Sequence, residues 1–267
     1  MSAFGTFQDY PRESLSSAES ALLTAWHSLE RYHADLVLVG GLAVHYLTKR
    51  NVAGLPGAVT MDVDFGISLA ASGGQYGTIK SDLAGLDFKT EGNRLFRKFG
   101  NLNLYLDFIT EDPPSVAGAR TVDDVVASLI PGVNRALVHR RMVKVRGRDF
   151  YGAEQECDVA VADIGPLLVL KINAFGGRRH PKDAYDVLLA VTGFVDGPQT
   201  AITDFRAEAR SGNTGYASAV NVLRRYFSAP DQDGPIRAAE FHPGDANHRE
   251  RIRQDVVTVG RILLLGE

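Results

Sequence analysis

Between Thr60 and Ile67 the chain alternates with period two: Met61, Val63, Phe65 and Ile67 are apolar, and Asp62 and Asp64 fall between them. Only an extended strand sends successive side chains to opposite faces, so this stretch reads as a strand with one buried face and two carboxylates on the other. At a rise of ~3.3 Å per residue the two acids stand roughly 7 Å apart along the backbone. Carboxylates so placed suit a hard cation that takes oxygen ligands. A solvated strand face is the plainer alternative for an Asp-x-Asp pair.

Upstream, Leu36–Val39 is a short β-rich run that ends at Gly40–Gly41, and a helical segment follows from Leu42 to about Lys49. Glycines between a strand and a helix let backbone N–H groups approach a phosphate, although a tight turn explains them as well. The spacing is not that of a dinucleotide-binding loop. Downstream, Leu95–Phe99 and Leu102–Ile109 flank Gly100–Asn101, a common two-residue hairpin turn, and the alternation places Asp107 on the polar face of its strand. Ser16–Glu19 has capping-box spacing ahead of a helix carrying Leu22, Trp26 and Leu29. Further helices are expected over residues 76–86 and 122–130, and strands over 137–145 and 157–161.

After Asp163 the pattern becomes helical. Ile164, Leu167, Leu168, Ile172 and Phe175 share one helix face, Gly176–Gly177 is expected to break that helix, and Ala184 to Val191 mark a second. More helices are expected over 201–210, 216–227 and 249–265, with residues 228–247 as a Pro- and Gly-bearing connection. The expected class is α/β (α+β): a mixed sheet flanked by helices over residues 1–162, followed by a helical domain over 163–267.

With 45% apolar and 23% charged residues in 267, the chain can bury a real core without staples. Its single cysteine, Cys157, excludes an internal disulfide, and no histidine spacing suggests zinc. A net charge of −3 excludes a globally basic nucleic-acid coat. The most apolar windows fall short of the ~20 residues of a membrane span. Residues 1–13 lack a leader pattern, so a cytoplasmic protein is expected.

In order along the chain come strand–Gly–Gly–helix, an Asp-x-Asp strand, and a later strand with a third acid. This order resembles the polymerase-β-like nucleotidyltransferase superfamily. Gly40–Gly41–Leu42–Ala43 with Thr60-x-Asp62-x-Asp64, and Lys171 to Ala174 followed by Arg178, Arg179, Lys182, Asp183 and Asp186, resemble more narrowly the AbiEii-type toxin nucleotidyltransferases. The resemblance spans about Leu36 to Leu189 and rests on short motifs in a fairly specific order. It implies a nucleotidyltransferase-type sheet whose helical second half completes the active site. Asp62, Asp64 and Asp107 would hold Mg²⁺ or Mn²⁺. Gly40, Gly41, Thr60, Lys171 and Lys182 would contact the NTP, and Asp183 would be the essential acid of the second half, supported by Asp186. The implied reaction moves an NMP from an NTP to an acceptor hydroxyl and releases pyrophosphate. The implied setting is a bacterial toxin–antitoxin pair, with RNA, such as the 3′ end of tRNA, as acceptor and a cognate antitoxin as partner. Where relatives carry a basic residue two positions before the Thr of the Asp-x-Asp strand, this chain has Ala58, and Lys49 or Arg50 are the nearby substitutes.

The residues also admit simpler roles. Asp183 and Asp186 stand i,i+3 where acids favour a helix start, and Lys171 on an apolar helix can snorkel to solvent. Residues 135–148 carry six cations and no acid, among them Arg140, Arg141, Lys144 and Arg146. An RNA-facing patch or a charged edge strand both fit. Phe150 and Tyr151 beside them suit core packing or base stacking. Transfer to a small hydroxylated molecule, or a nucleotide- or partner-binding module without catalysis, are the competing functions.

Overall fold

The computed structural model describes residues 5–49, 52, 54–68, 79–91, 94–111, 118–122 and 125–265. The fold is mixed α/β, with a mixed sheet flanked by helices and a helical C-terminal half. The chain divides into two compact units. One comprises Arg12–Ala43 and Thr60–Asp163; the other comprises Met1–Pro11, Val44–Val59 and Ile164–Glu267. One boundary falls between Asp163 and Ile164, and two earlier segments go with the helical unit, so neither unit is continuous in sequence.

The sheet unit contains β1 (Leu36–Val39), β2 (Asp62–Ile67), β3 (Lys89–Glu91), β4 (Arg94–Phe99), β5 (Leu102–Thr110), β6 (Gly118–Val122), β7 (Val125–Leu129), β8 (Arg140–Arg148) and β9 (Glu154–Ala162). Among the described residues the strand order is β3-β4-β5-β2-β1-β9-β8, with β7 added to β5 and β6 to β7. The strands β2 and β5 run parallel, with Asp62 beside Tyr105 and Asp64 beside Asp107. On the apolar face Val63, Phe65, Leu106 and Phe108 are buried, and Trp26 of helix α1 (Ser14–Ser28) packs 5.9 Å from Phe65. The hairpin joining β4 to β5 turns at Gly100, whose φ of +58° is open to glycine at little cost.

Helix α1 starts two residues before the expected capping box, and the Ser16 hydroxyl donates to the Glu13 carbonyl. Helix α2 (Gly40–Leu47) begins at the first glycine of the pair, and α3 (Ile79–Ala84) takes the described part of the 76–86 helix; residues 76–78 lie outside the described set. Where a helix is expected over 122–130, residues 125–129 form β7 and Val122 ends β6; residues 123–124 lie outside the described set. The Val-rich run of β7 pairs with the end of β5, and that tertiary pairing overrides a helical pattern too short to stand alone. Leu137 and Val138 close helix α4 (Val133–Val138), so the following strand starts later, at Arg140.

The helical unit contains α5 (Ile164–Arg178), α6 (Pro181–Thr192), α7 (Pro198–Ala207), α8 (Tyr216–Tyr226), α9 (Asp233–Phe241) and α10 (Ala246–Leu264). Its core includes Phe175, Phe205, Phe227 and Tyr185, with the Phe175 and Phe227 rings edge-on at 4.9 Å. The glycines at 176 and 177 do not break α5. A Cβ at Gly176 would overlap Cγ2 of Val222, so this glycine admits helix α8 at close range. The expected connection over 228–247 contains α9, whose Ala238, Ala239 and Phe241 are buried. Among the described residues no helix is long and apolar enough to cross a membrane.

Candidate active site

The strand β1 ends beside β2 with Val39 opposite Asp64, which puts the Gly–Gly turn on top of the second acid. Gly40 has φ +69°, and a Cβ built there would fall 2.6 Å from Asp64 Cγ and 2.9 Å from its Cβ. No side chain fits, so glycine is required both by backbone conformation and by the carboxylate. The N–H groups of Gly41 and Leu42 belong to the first turn of α2, where helical donors lack intrahelical partners. Thr60 is buried and accepts the Asp62 N–H with its hydroxyl at 3.2 Å, fixing the entry to the acidic strand. It is a positioning contact on the backbone of Asp62.

The three expected carboxylates share one face of the sheet, Asp62 and Asp64 on β2 and Asp107 in register beside Asp64. A residue not anticipated from the sequence joins them. Arg94, at the start of β4, forks onto Asp107 through Nε (2.8 and 3.0 Å) and Nη2 (2.5 Å), and Nη2 also reaches Asp62 at 3.1 Å. Its guanidinium lies 4.0 Å from the centroid of the Tyr105 ring. Burial opposes its charge, but the hydrogen bonds of Asp107 and the charges of Asp62, Asp107 and Asp64 outweigh it and hold the guanidinium above its ordinary pKa. The signal was present in the hairpin register, because Arg94 falls opposite Asp107 one step beyond the Leu95–Leu106 pair. Asp62 and Arg94 are each 41% exposed in their side chains, so the face is open to small ligands.

Among the described residues no group of three His, Cys, Asp or Glu side chains is arranged to hold a metal ion. The donor set is nevertheless all carboxylate, which suits Mg²⁺ or Mn²⁺. The guanidinium of Arg94 marks where these acids place a positive charge.

A second cluster lies in the helical unit between α5 and α6. Lys171 does not snorkel: its side chain is 6% exposed and its ammonium donates to Asp186 Oδ2 at 2.7 Å. Lys182 donates to the same oxygen at 2.6 Å, and Arg178 forks onto Asp183 at 2.6 and 2.8 Å. Asp186 Oδ1 is buried without a hydrogen-bond partner among the described residues. Burial pushes the Asp183 carboxyl up, but the Arg178 hydrogen bond and the charges of Lys171, Arg178 and Lys182 prevail and hold it below the usual carboxylate range. Lys182 is likewise held above its ordinary value, its desolvation outweighed by Asp186 and Asp183. His180 caps α6 by accepting the Lys182 N–H, and burial lowers its pKa. The cluster ties α5 to α6, and Arg178, which the sequence offered as part of the motif without a role, is its second anchor. Of the nearby cations weighed beside Ala58, Lys49 is exposed and Arg50 lies outside the described residues.

The basic stretch is not an unpaired surface. On β8, Lys144 meets Glu156 and Asp158 of β9 at 2.9 and 3.4 Å, and Arg146 meets Glu156 at 2.5 Å. Arg141 pairs with Asp163 at 2.7 Å, and Arg140 donates to the carbonyls of Leu36 and Ala34. The four cations expected to face RNA are therefore engaged within the sheet unit, and the charged edge strand is what the geometry supports. Phe150 packs against Phe99 at 5.1 Å under Arg97, while Tyr151 is exposed.

No protein-family model matches this sequence, and no curated protein matches it.

Proposed function

We propose that the chain is a metal-dependent nucleotidyltransferase that moves an NMP from an NTP to an acceptor hydroxyl. The observation that carries this reading is the packing of Gly40 on Asp64, with Asp107 in register beside it. A glycine turn into a helix N-terminus and a set of carboxylates meet at one end of the central strands β1, β2 and β5, an economical arrangement for phosphoryl chemistry. Asp62, Asp64 and Asp107 would hold Mg²⁺ or Mn²⁺, which supplies charge neutralisation for the triphosphate. The Gly40–Gly41 turn receives phosphate oxygens, and Thr60 keeps the acidic strand in place. The acceptor oxygen bonds to the α-phosphorus as the bond to pyrophosphate breaks. Asp107, the carboxylate on the neighbouring strand, would take the hydroxyl proton.

Nucleotide contact by Lys171 and Lys182, the essential acid Asp183, and the toxin role with a cognate antitoxin rest on the resemblance. An RNA acceptor rests on it too. The pairing of Lys144 and Arg146 with β9 acids favours a second reading, in which the acceptor is a small hydroxylated molecule. The test incubates each labelled NTP with Mg²⁺ or Mn²⁺ and either total RNA or a panel of small hydroxylated compounds. Label on RNA or on a small acceptor, lost in Asp62→Ala and Asp64→Ala while the fold persists, is expected. Full transfer by either variant overturns the metal assignment.

A further inference from the structure

The acids of the candidate site are not waiting with empty space between them. Arg94 stands among them: one fork on Asp107, a third bond to Asp62, and a charge that Asp64 also meets. Ionised carboxylates gathered on one sheet face repel one another unless a cation stands among them. The same repulsion that draws Arg94 in would draw a metal in, and the two cations compete for the same oxygens. Arg94 is attached at the start of its strand and is 41% exposed, so its side chain can leave through torsions alone. The Tyr105 ring backs the guanidinium at 4.0 Å while it holds the carboxylates.

We infer that Arg94 is a built-in counter-cation that holds Asp62 and Asp107 until a divalent ion displaces it. This rests on the metal-dependent reading above and adds its regulation. The displaced guanidinium is then a mobile positive charge at the rim of the site, with the fork geometry that suits a phosphate. Two consequences distinguish this arrangement from an ordinary surface ion pair. Metal affinity is set by competition, so removing Arg94 strengthens it. In the absence of metal, removing Arg94 leaves the acids facing one another, so stability depends on metal more steeply than in the native chain.

The experiment titrates Mn²⁺ alone into the full-length protein and follows free Mn²⁺ by electron paramagnetic resonance, with thermal melts run in parallel. The proteins are the native chain, Arg94→Gln, Arg94→Lys, and Asp62→Asn with Asp64→Asn. Expected are at least tenfold tighter Mn²⁺ binding by Arg94→Gln and an intermediate value for Arg94→Lys, with binding lost in the Asn variant. Expected too is a melting temperature of Arg94→Gln that is depressed without Mn²⁺ and restored by it. Equal Mn²⁺ affinity in the native chain and Arg94→Gln overturns the inference and leaves the metal reading intact. Absence of Mn²⁺ binding in both overturns the metal reading and the inference with it. If Arg94→Gln does not fold, tighter binding by Arg94→Lys supports the inference and unchanged binding overturns it.

Discussion

Gly40 and Asp64 stand in such close contact that the backbone at one position leaves no room for anything but hydrogen opposite the carboxylate at the other. The pairing of β1 with β2 enforces this contact, because Val39 lies opposite Asp64 and the chain turns into α2 at the next residue. The turn and the acid are therefore one structural feature, and a change in either should be read out at both.

Replacing Gly40 by alanine tests that coupling, with Gly100 as its control. Both have positive φ, and at Gly100 nothing lies within 4 Å of a built Cβ. Each alanine carries a left-handed backbone cost of about 1–2 kcal/mol. We expect Gly100→Ala to lose that much stability in urea denaturation while keeping Mn²⁺ binding. Gly40→Ala should lose more stability and weaken Mn²⁺ binding and transfer at least tenfold, because the Asp64 carboxylate must move aside.

The Lys171–Asp186–Lys182 bridge is buried on all sides, and one carboxylate oxygen carries both ammonium groups. Deleting the shared acid strands two buried charges at once. Asp186→Ala should cost about 3–5 kcal/mol, the penalty for breaking a buried pair. Arg178→Ala should cost less, since its side chain is 66% exposed and water can replace it in part. Chemical denaturation of the two variants decides the order, and equal losses would mean that Asp186 is not the hub.

The pKa directions at the head of α6 give the stability a definite pH dependence. His180 is held below its ordinary 6.5, so as the pH falls the unfolded chain takes up that proton first and stability declines below about 6.5. Asp183 is held below its ordinary 3.8, so its contribution is intact above that value and is lost as the pH falls through its lowered pKa. His180→Asn keeps an N-cap acceptor for Lys182 but cannot titrate. The difference in stability between the native chain and this variant should change below pH 6.5 and stay constant above it, followed by urea denaturation from pH 4 to 8.

Much of this was legible in the sequence where a short-range period decided it. The strict alternation from Met61 to Ile67 reports a strand with one dry face, and the glycine at 100 reports the hairpin, because pleat and turn chemistry are local. The Lys182–Asp186 pair follows from the i,i+4 spacing of a helix. What escaped was set by partners distant in sequence. The segment 125–129 is a strand because β5 offers it an edge, and Gly176 stays helical because Val222 fills the space that a side chain would need. Arg94 escaped for the same reason. Its meaning lies in the register of β4 on β5, which aligns it with Asp107, and no pattern within β4 marks it out.

The same reasoning governs the basic stretch, whose six cations look unopposed until β9 is laid beside them. Lys144 and Arg146 share Glu156 across the β8–β9 ladder, and these pairs sit in solvent, where water and salt screen them. Replacing both cations by glutamine should therefore leave the urea-denaturation midpoint nearly unchanged. The effect on RNA binding is the sharper measurement. Each cation that meets a phosphate in single-stranded RNA contributes about 0.7 to the slope of log affinity against log salt. With the acids in place, the double glutamine variant should leave that slope unchanged. Replacing Glu154, Glu156 and Asp158 by their amides uncovers Lys144, Arg146 and Arg148, and the slope should then steepen by roughly 0.7 per cation released. A slope that falls in the double glutamine variant would place RNA on this strand after all, with the β9 acids giving way to phosphate.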